Sequence, residues 1–224
     1  AKRLGACIGS ADLVCSDGMP LRDRFDLADF VSRTSRDLPP VIIRIGRNDG
    51  SVFWRRKPDY MSGMQRQRQM LFAGWDTGGH GNAMRGHVDG FPDFRDFDWA
   101  IKHFALNRSF PAVTNCSLDQ DPGDGDPKNG DPRGFLNRGI DWTVPVESRE
   151  RYKIRLIVRH PDARWPVTMD VTPRRRQAFR PAPGATLAAS NVAGDGSTVE
   201  QKVLRVDPAG RFTYAGFTVT GAAG

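Results

Sequence analysis

Two stretches decide how this chain is read: PPVIIRIGRND, residues 39–49, and LFAGWDTGGHG, residues 71–81. In the first, Val41, Ile42, Ile43 and Ile45 make a near-continuous apolar run bounded by Pro and Gly. In the second, LFAGW is shorter but of the same kind. Such runs are the mark of strands buried on both faces, as in a parallel sheet. Each run ends in a loop that carries one ionisable residue. Asp49 follows the first strand, three residues after Gly46, and His80 follows the second, set between glycines. PDYMSGMQRQRQM, residues 58–70, separates them and reads as a helix, with Pro58 in its first turn and an Arg/Gln face toward solvent.

The flanking sequence extends this pattern. Residues 1–15 read as a further short strand of small and apolar residues. Asp26–Arg33 predicts a helix, with Leu27, Phe30 and Val31 on one face, and residues 96–106 predict another, carrying Trp99, Ile101, Phe104 and Leu106. After Pro111 the pattern changes to short alternating runs between turn residues. Tyr152, Ile154, Leu156 and Val158 repeat with a strict period of two, which signals strands with one solvated face. Six such runs predict an antiparallel sandwich. The reading is therefore an α/β unit over residues 1–110 followed by an all-β antiparallel sandwich over 111–224. Strands at 4–14, 41–46 and 71–75 are too few to cover both faces of a parallel sheet. VIIRI is thus expected to pair with a strand from outside residues 1–224.

Asp49 and His80 are the types needed for proton relay. A neutral imidazole takes a proton from a nucleophile, while a carboxylate orients it and stabilises the imidazolium. Strand ends bring such groups to one edge of a sheet. An Asp after a strand can equally be a turn residue, and a His among glycines can be plain surface. His87 and Asp76 are nearby rivals. His87 is farther from a strand end, and Asp76 is too close in sequence to His80.

The order strand, Asp, helix, strand, His resembles the last elements of secreted bacterial α/β-hydrolases of the esterase/dienelactone-hydrolase type. The motifs that carry the resemblance are PPVIIRIGRND and FAGWDTGGHG, and it extends over residues 39–106. Residues 1–15 resemble the sheet strand after that family's nucleophile helix. The resemblance implies an α/β-hydrolase sheet, Asp49 as triad acid, His80 as triad base and a secreted or periplasmic location. It also implies a carboxylic ester as substrate, such as an acyl group carried on a polysaccharide. No GxSxG motif occurs, and Ser10 lacks the strand-turn-helix setting of a nucleophile. The nucleophile is then expected upstream of Ala1, in the same gene product or in a separate chain that completes the sheet. The alternative is a non-catalytic binding or structural protein, in which a degenerate hydrolase scaffold carries a sandwich interaction domain.

SLDQDPGDGDPKNGDPRG, residues 117–134, gathers Asp119, Asp121, Asp124, Asp126 and Asp131 on a loop bent by Gly and Pro. Alternating carboxylates supply the hard oxygens that Ca²⁺ takes, so these five are candidate Ca²⁺ ligands. The spacing is not that of an EF-hand, and a solvated acidic loop is the alternative. The segment from here onward also resembles the β-sandwich tails of some secreted bacterial hydrolases.

With 33 basic and 26 acidic residues the 224-residue chain carries a net charge of +7. The excess is spread along the sequence, and only Arg55–Lys57 and Arg174–Arg176 are clustered, which argues against a nucleic-acid partner. No run of 18 apolar residues occurs, which excludes a transmembrane helix. The N-terminal stretch lacks the apolar core of a signal peptide. Cys7, Cys15 and Cys116 contain no CxxC pair. Cys7 and Cys15 can pair as a disulfide or stay as buried thiols.

Overall fold

The computed structural model describes residues 26–34, 36–92 and 97–221. The strand expected within residues 1–15 and the Cys7–Cys15 pairing lie outside these. Helix α1 spans Leu27–Arg33. The Asp26 side chain caps it by accepting from the amides of Ala28 and Asp29. Arg56 also pairs with Asp26 and Asp29, at 2.7 and 3.2 Å, tying the helix to the turn at Trp54–Arg56.

Strand β1 spans Val41–Gly46 and β2 spans Leu71–Asp76. They pair in parallel, with Val41 opposite Leu71 and Gly46 opposite Asp76. A short 3₁₀ turn, Trp54–Arg56, and helix α2, Lys57–Arg66, connect them, with Pro58 in the first turn of α2. β2 divides two cores, as its unbroken apolar sequence requires. Leu71, Ala73 and Trp75 pack with Val31, Ile45, Trp54, Met61 and Met64. Phe72 packs in the other core, among Met70, Phe110, Val113 and Trp142. Gly74 leaves room there for Met84 and Phe135, which approach to 3.2 and 3.3 Å of where its Cβ would be.

The α/β-hydrolase sheet does not form. β1 and β2 are the only parallel pair among the described strands. The other edge of β2 is taken by β4, Gly134–Leu136, which runs antiparallel from beyond residue 110. Gly134 allows this, because a Cβ there would lie 2.3 Å from the Trp75 ring. With β4 in place β2 accepts no further parallel neighbour, and β1 is an edge strand among the described residues.

The remaining strands form small antiparallel sheets of two or three strands rather than one sandwich. β3, Phe110–Thr114, and β12, Tyr214–Val219, flank β9, Val167–Arg174. β10, Thr186–Val192, pairs with β11, Thr198–Arg205. The period-two run 152–158 keeps its alternating burial but divides between two sheets. β7, Tyr152–Lys153, pairs with β6, Val146–Glu147, while β8, Leu156–Val158, pairs with β5, Ile140–Trp142. Register shifts at Asn191/Val192 and between Tyr214 and Phe217 interrupt two of the ladders. Helix α3, Phe97–Phe104, completes the three α-helices of the described residues. The fold is thus β-rich, with one core drawing side chains from both sides of residue 110.

Candidate functional site

The loops after β1 and β2 are zipped together by their backbones. The amides of Arg47 and Asn48 donate to the carbonyls of Asp76 and Gly78, and Asn48 Nδ2 donates to the Thr77 carbonyl at 2.7 Å. The approach is close enough that a Cβ on Gly46 would lie 2.2 Å from the Gly78 carbonyl oxygen. Only glycine fits there.

This zipping brings Asp49 and His80 together. His80 Nδ1 donates to Asp49 Oδ2 at 3.0 Å. The other carboxylate oxygen, Oδ1, accepts from the amides of Ser51 and Val52 at 2.7 and 2.9 Å. The Val52 amide, followed by the imidazole and the Ser51 amide, holds the Asp49 carboxyl below its ordinary pKa. Asp49 is therefore a fixed anion at neutral pH, and its side chain is only 11% exposed, whereas that of His80 is 64% exposed. With its proton on Nδ1, the neutral imidazole keeps a basic lone pair on Nε2. That is the arrangement a general base needs to deprotonate a hydroxyl or thiol.

Asp76 organises the loop that carries His80. Its Oδ1 accepts from the Gly78 amide and its Oδ2 from the Met84 amide, each at 2.8 Å. It is a positioning residue rather than a partner of the imidazole. His87 pairs with Asp89 at 3.1 Å, but both side chains are more than two-thirds exposed.

A second acid–histidine pair lies in the core. His103, on α3, has a 1% exposed side chain and sits 2.9 Å from Asp141 Oδ1 on β5. Its Nδ1 donates to the Trp99 carbonyl at 2.8 Å and its Nε2 to the Trp142 carbonyl at 3.0 Å. Both ring nitrogens thus face acceptors, and Trp99 stacks on the ring at 4.5 Å. Burial alone would lower the His103 pKa. Asp141 and the two carbonyls outweigh burial and hold it above its ordinary value. This is a structural imidazolium, because neither nitrogen is free to take a proton from a substrate. The available sequence signal is the i, i+4 placement of Trp99 and His103 on the apolar face of α3.

The acidic loop is built around an arginine. Arg47, 3% exposed, donates to the carbonyls of Asp131 at 2.6 Å, Pro127 at 2.7 Å, Asp126 at 3.4 Å and Asn129. The carboxylates turn to their own backbone. Asp121 accepts from the Gly123 amide, Asp124 from Asp126, Asp126 from Lys128 and Asp131 from Asp121. Asp119 accepts from the Asn137 amide at 2.7 Å, and burial pushes its carboxyl up to about 7. The five aspartates therefore do not converge. Among the described residues no three His, Cys, Asp or Glu side chains group to hold a metal. Cys116 is a buried free thiol, and burial pushes its pKa up to about 12, so it is no nucleophile at neutral pH.

Two hollows adjoin this region. The smaller, of about 470 Å³, is lined by Asp76, Thr77, Gly78, Pro132 and Arg133, beside the His80 loop. The larger, of about 890 Å³, opens between the 117–120 segment and the 160–166 segment. No helix among the described residues is long and apolar enough to cross a membrane. No protein-family model matches the chain, and no significant match was found among curated proteins or among solved structures.

Proposed function

We propose that Asp49 and His80 are the acid and base of a serine-type hydrolytic relay acting on carboxylic esters. The nucleophilic hydroxyl is contributed from outside the described residues. The observation that carries this reading is the oriented pair itself. One Asp49 oxygen is fixed by two backbone amides, the other accepts from His80 Nδ1 at 3.0 Å, and the His80 side chain is largely exposed. In the reaction His80 Nε2 takes the nucleophile's proton as it attacks the ester carbonyl. The imidazolium, stabilised by Asp49, then returns that proton to the leaving alkoxide. The hollow beside Gly78 gives the substrate a place next to the His80 loop.

The test uses the protein as its source makes it, with any segment that precedes Ala1. Hydrolysis of p-nitrophenyl acetate is compared with that of the His80→Ala and Asp49→Asn variants. Loss of a triad base or a wrongly held tautomer lowers kcat by about 10³–10⁴ or more. Labelling by a fluorophosphonate identifies the serine. A protein that neither turns over esters nor takes the label refutes the relay and leaves a non-catalytic binding role.

A further inference from the structure

The larger hollow lies apart from the Asp49–His80 pair, and its lining has a chemistry of its own. Its volume of about 890 Å³ is that of a site for a small organic ligand. Three guanidinium groups, those of Arg133, Arg138 and Arg164, line it. Arg133 and Arg164 have no carboxylate partner among the described residues, and Arg138 has only Asp162, at 4.0 Å. Arg138 and Arg133 lie over the Phe135 ring, at 4.8 and 6.0 Å from its centre, and Arg138 Nε also donates to the Asp89 carbonyl at 2.8 Å. Those contacts hold the Arg133 and Arg138 guanidinium groups in place before any ligand arrives.

A fourth donor is left unused. His160 Nδ1 accepts from the Asp162 amide at 3.1 Å, so its proton sits on Nε2. Nε2 is buried and has no hydrogen-bond partner. Burial, with Arg138 nearby, lowers the His160 pKa, so the ring stays a neutral donor. Trp165, 36% exposed, lines the same hollow and offers an apolar ring face.

We propose that this cleft binds an acidic saccharide, with its carboxylate or sulfate held by Arg133, Arg138 and Arg164 and a sugar ring laid on Trp165. The guanidinium groups of Arg133 and Arg164, without a carboxylate of their own among the described residues, call for an oxyanion, which they grip through paired hydrogen bonds. Asp162, 80% exposed, stands among them. A carboxylate in that position accepts from sugar hydroxyls but repels the continuous charge of a polynucleotide. A sugar supplies both the anion and the hydroxyl donors. Arg133 also lines the smaller hollow beside the His80 loop, so one ligand can extend from the cleft toward that loop.

Binding is measured by titration calorimetry on the whole chain, and no probe is a carboxylic ester, so the outcome is independent of ester hydrolysis. The probes are trigalacturonate, a sulfated galactose trisaccharide, the unsulfated galactose trisaccharide as the neutral counterpart of both, and an oligothymidylate. At least one acidic saccharide should bind about tenfold or more tighter than its neutral counterpart. Arg164→Ala and Trp165→Ala should each weaken it by about tenfold or more with melting temperatures unchanged, since both side chains are exposed. The two acidic probes tell carboxylate from sulfate recognition. The proposal is overturned by equal binding of acidic and neutral forms, by binding that ignores both variants, by tighter binding of the oligothymidylate, or by no saccharide binding at all.

Discussion

Replacing Arg47 with Met keeps an unbranched apolar stem and removes the guanidinium around which the 121–131 loop is wound. Four backbone carbonyls lose their donor, two of them at 2.6 and 2.7 Å, at a side chain that is 3% exposed. A hydrogen bond to a charged group contributes about 1.5–3 kcal/mol, and a buried acceptor left alone costs about 1–3 kcal/mol. The loop lies at the surface, so some of the freed carbonyls regain water, and the net loss is about 3 kcal/mol. At about 2–4 °C per kcal/mol for a chain of this size, the melting temperature falls by about 6–12 °C. Arg47→Lys keeps a charge but not the planar fork, and loses about half as much. Circular dichroism on heating reads both. An Arg47→Met protein melting within about 2 °C of wild type would refute the claim that this arginine organises the loop.

Gly46→Ala drives a Cβ to 2.2 Å from the Gly78 carbonyl oxygen. The two loops must part, so it should destabilise by about 1–3 kcal/mol or more and lower any His80-dependent ester hydrolysis, read by melting and by turnover. The His103–Asp141 pair predicts a pH dependence with a defined sign. His103 has its folded pKa raised, so its contribution is complete below the unfolded pKa and is lost as pH rises through the folded value. The Asp141 pKa is lowered, with its acceptance from His103 outweighing burial, so its contribution is lost only as pH falls through that depressed value. The stability difference between wild type and His103→Phe should therefore shrink as pH is raised from 6 to 9. A difference that is flat over that range contradicts a charged His103.

VIIRI and LFAGW announce themselves because a strand between two cores needs apolar residues on both faces, and that demand is local. The neighbours of such a strand are not local. Nothing in GFL marks it as the antiparallel partner of β2, since three residues carry no period. Its pairing is permitted by the absence of a side chain at Gly134, which lies against Trp75. An antiparallel strand on that edge is what separates this fold from an α/β-hydrolase sheet. The acidic loop is hidden in the same way. Aspartates on a bent loop show ligand types, whereas the cation that the loop's backbone carbonyls hold comes from Arg47, 84 residues before Asp131. Asp49 and His80 were readable because the ends of two adjacent parallel strands deliver their loops to one place. His103 was not, because its partner Asp141 sits on a three-residue strand that only tertiary packing defines.

The tautomer of His80 tests the central claim most directly, and ¹⁵N NMR of the labelled imidazole reads it. With Nδ1 donating to Asp49, the neutral ring should carry its proton on Nδ1 and leave Nε2 bare, against the Nε2–H preference of free imidazole. Asp49→Asn should return the proton toward Nε2, because a rotated amide can donate to Nδ1. A wild-type His80 whose neutral ring carries its proton on Nε2, unaffected by Asp49→Asn, would contradict the oriented acid–base pair on which the proposed activity rests.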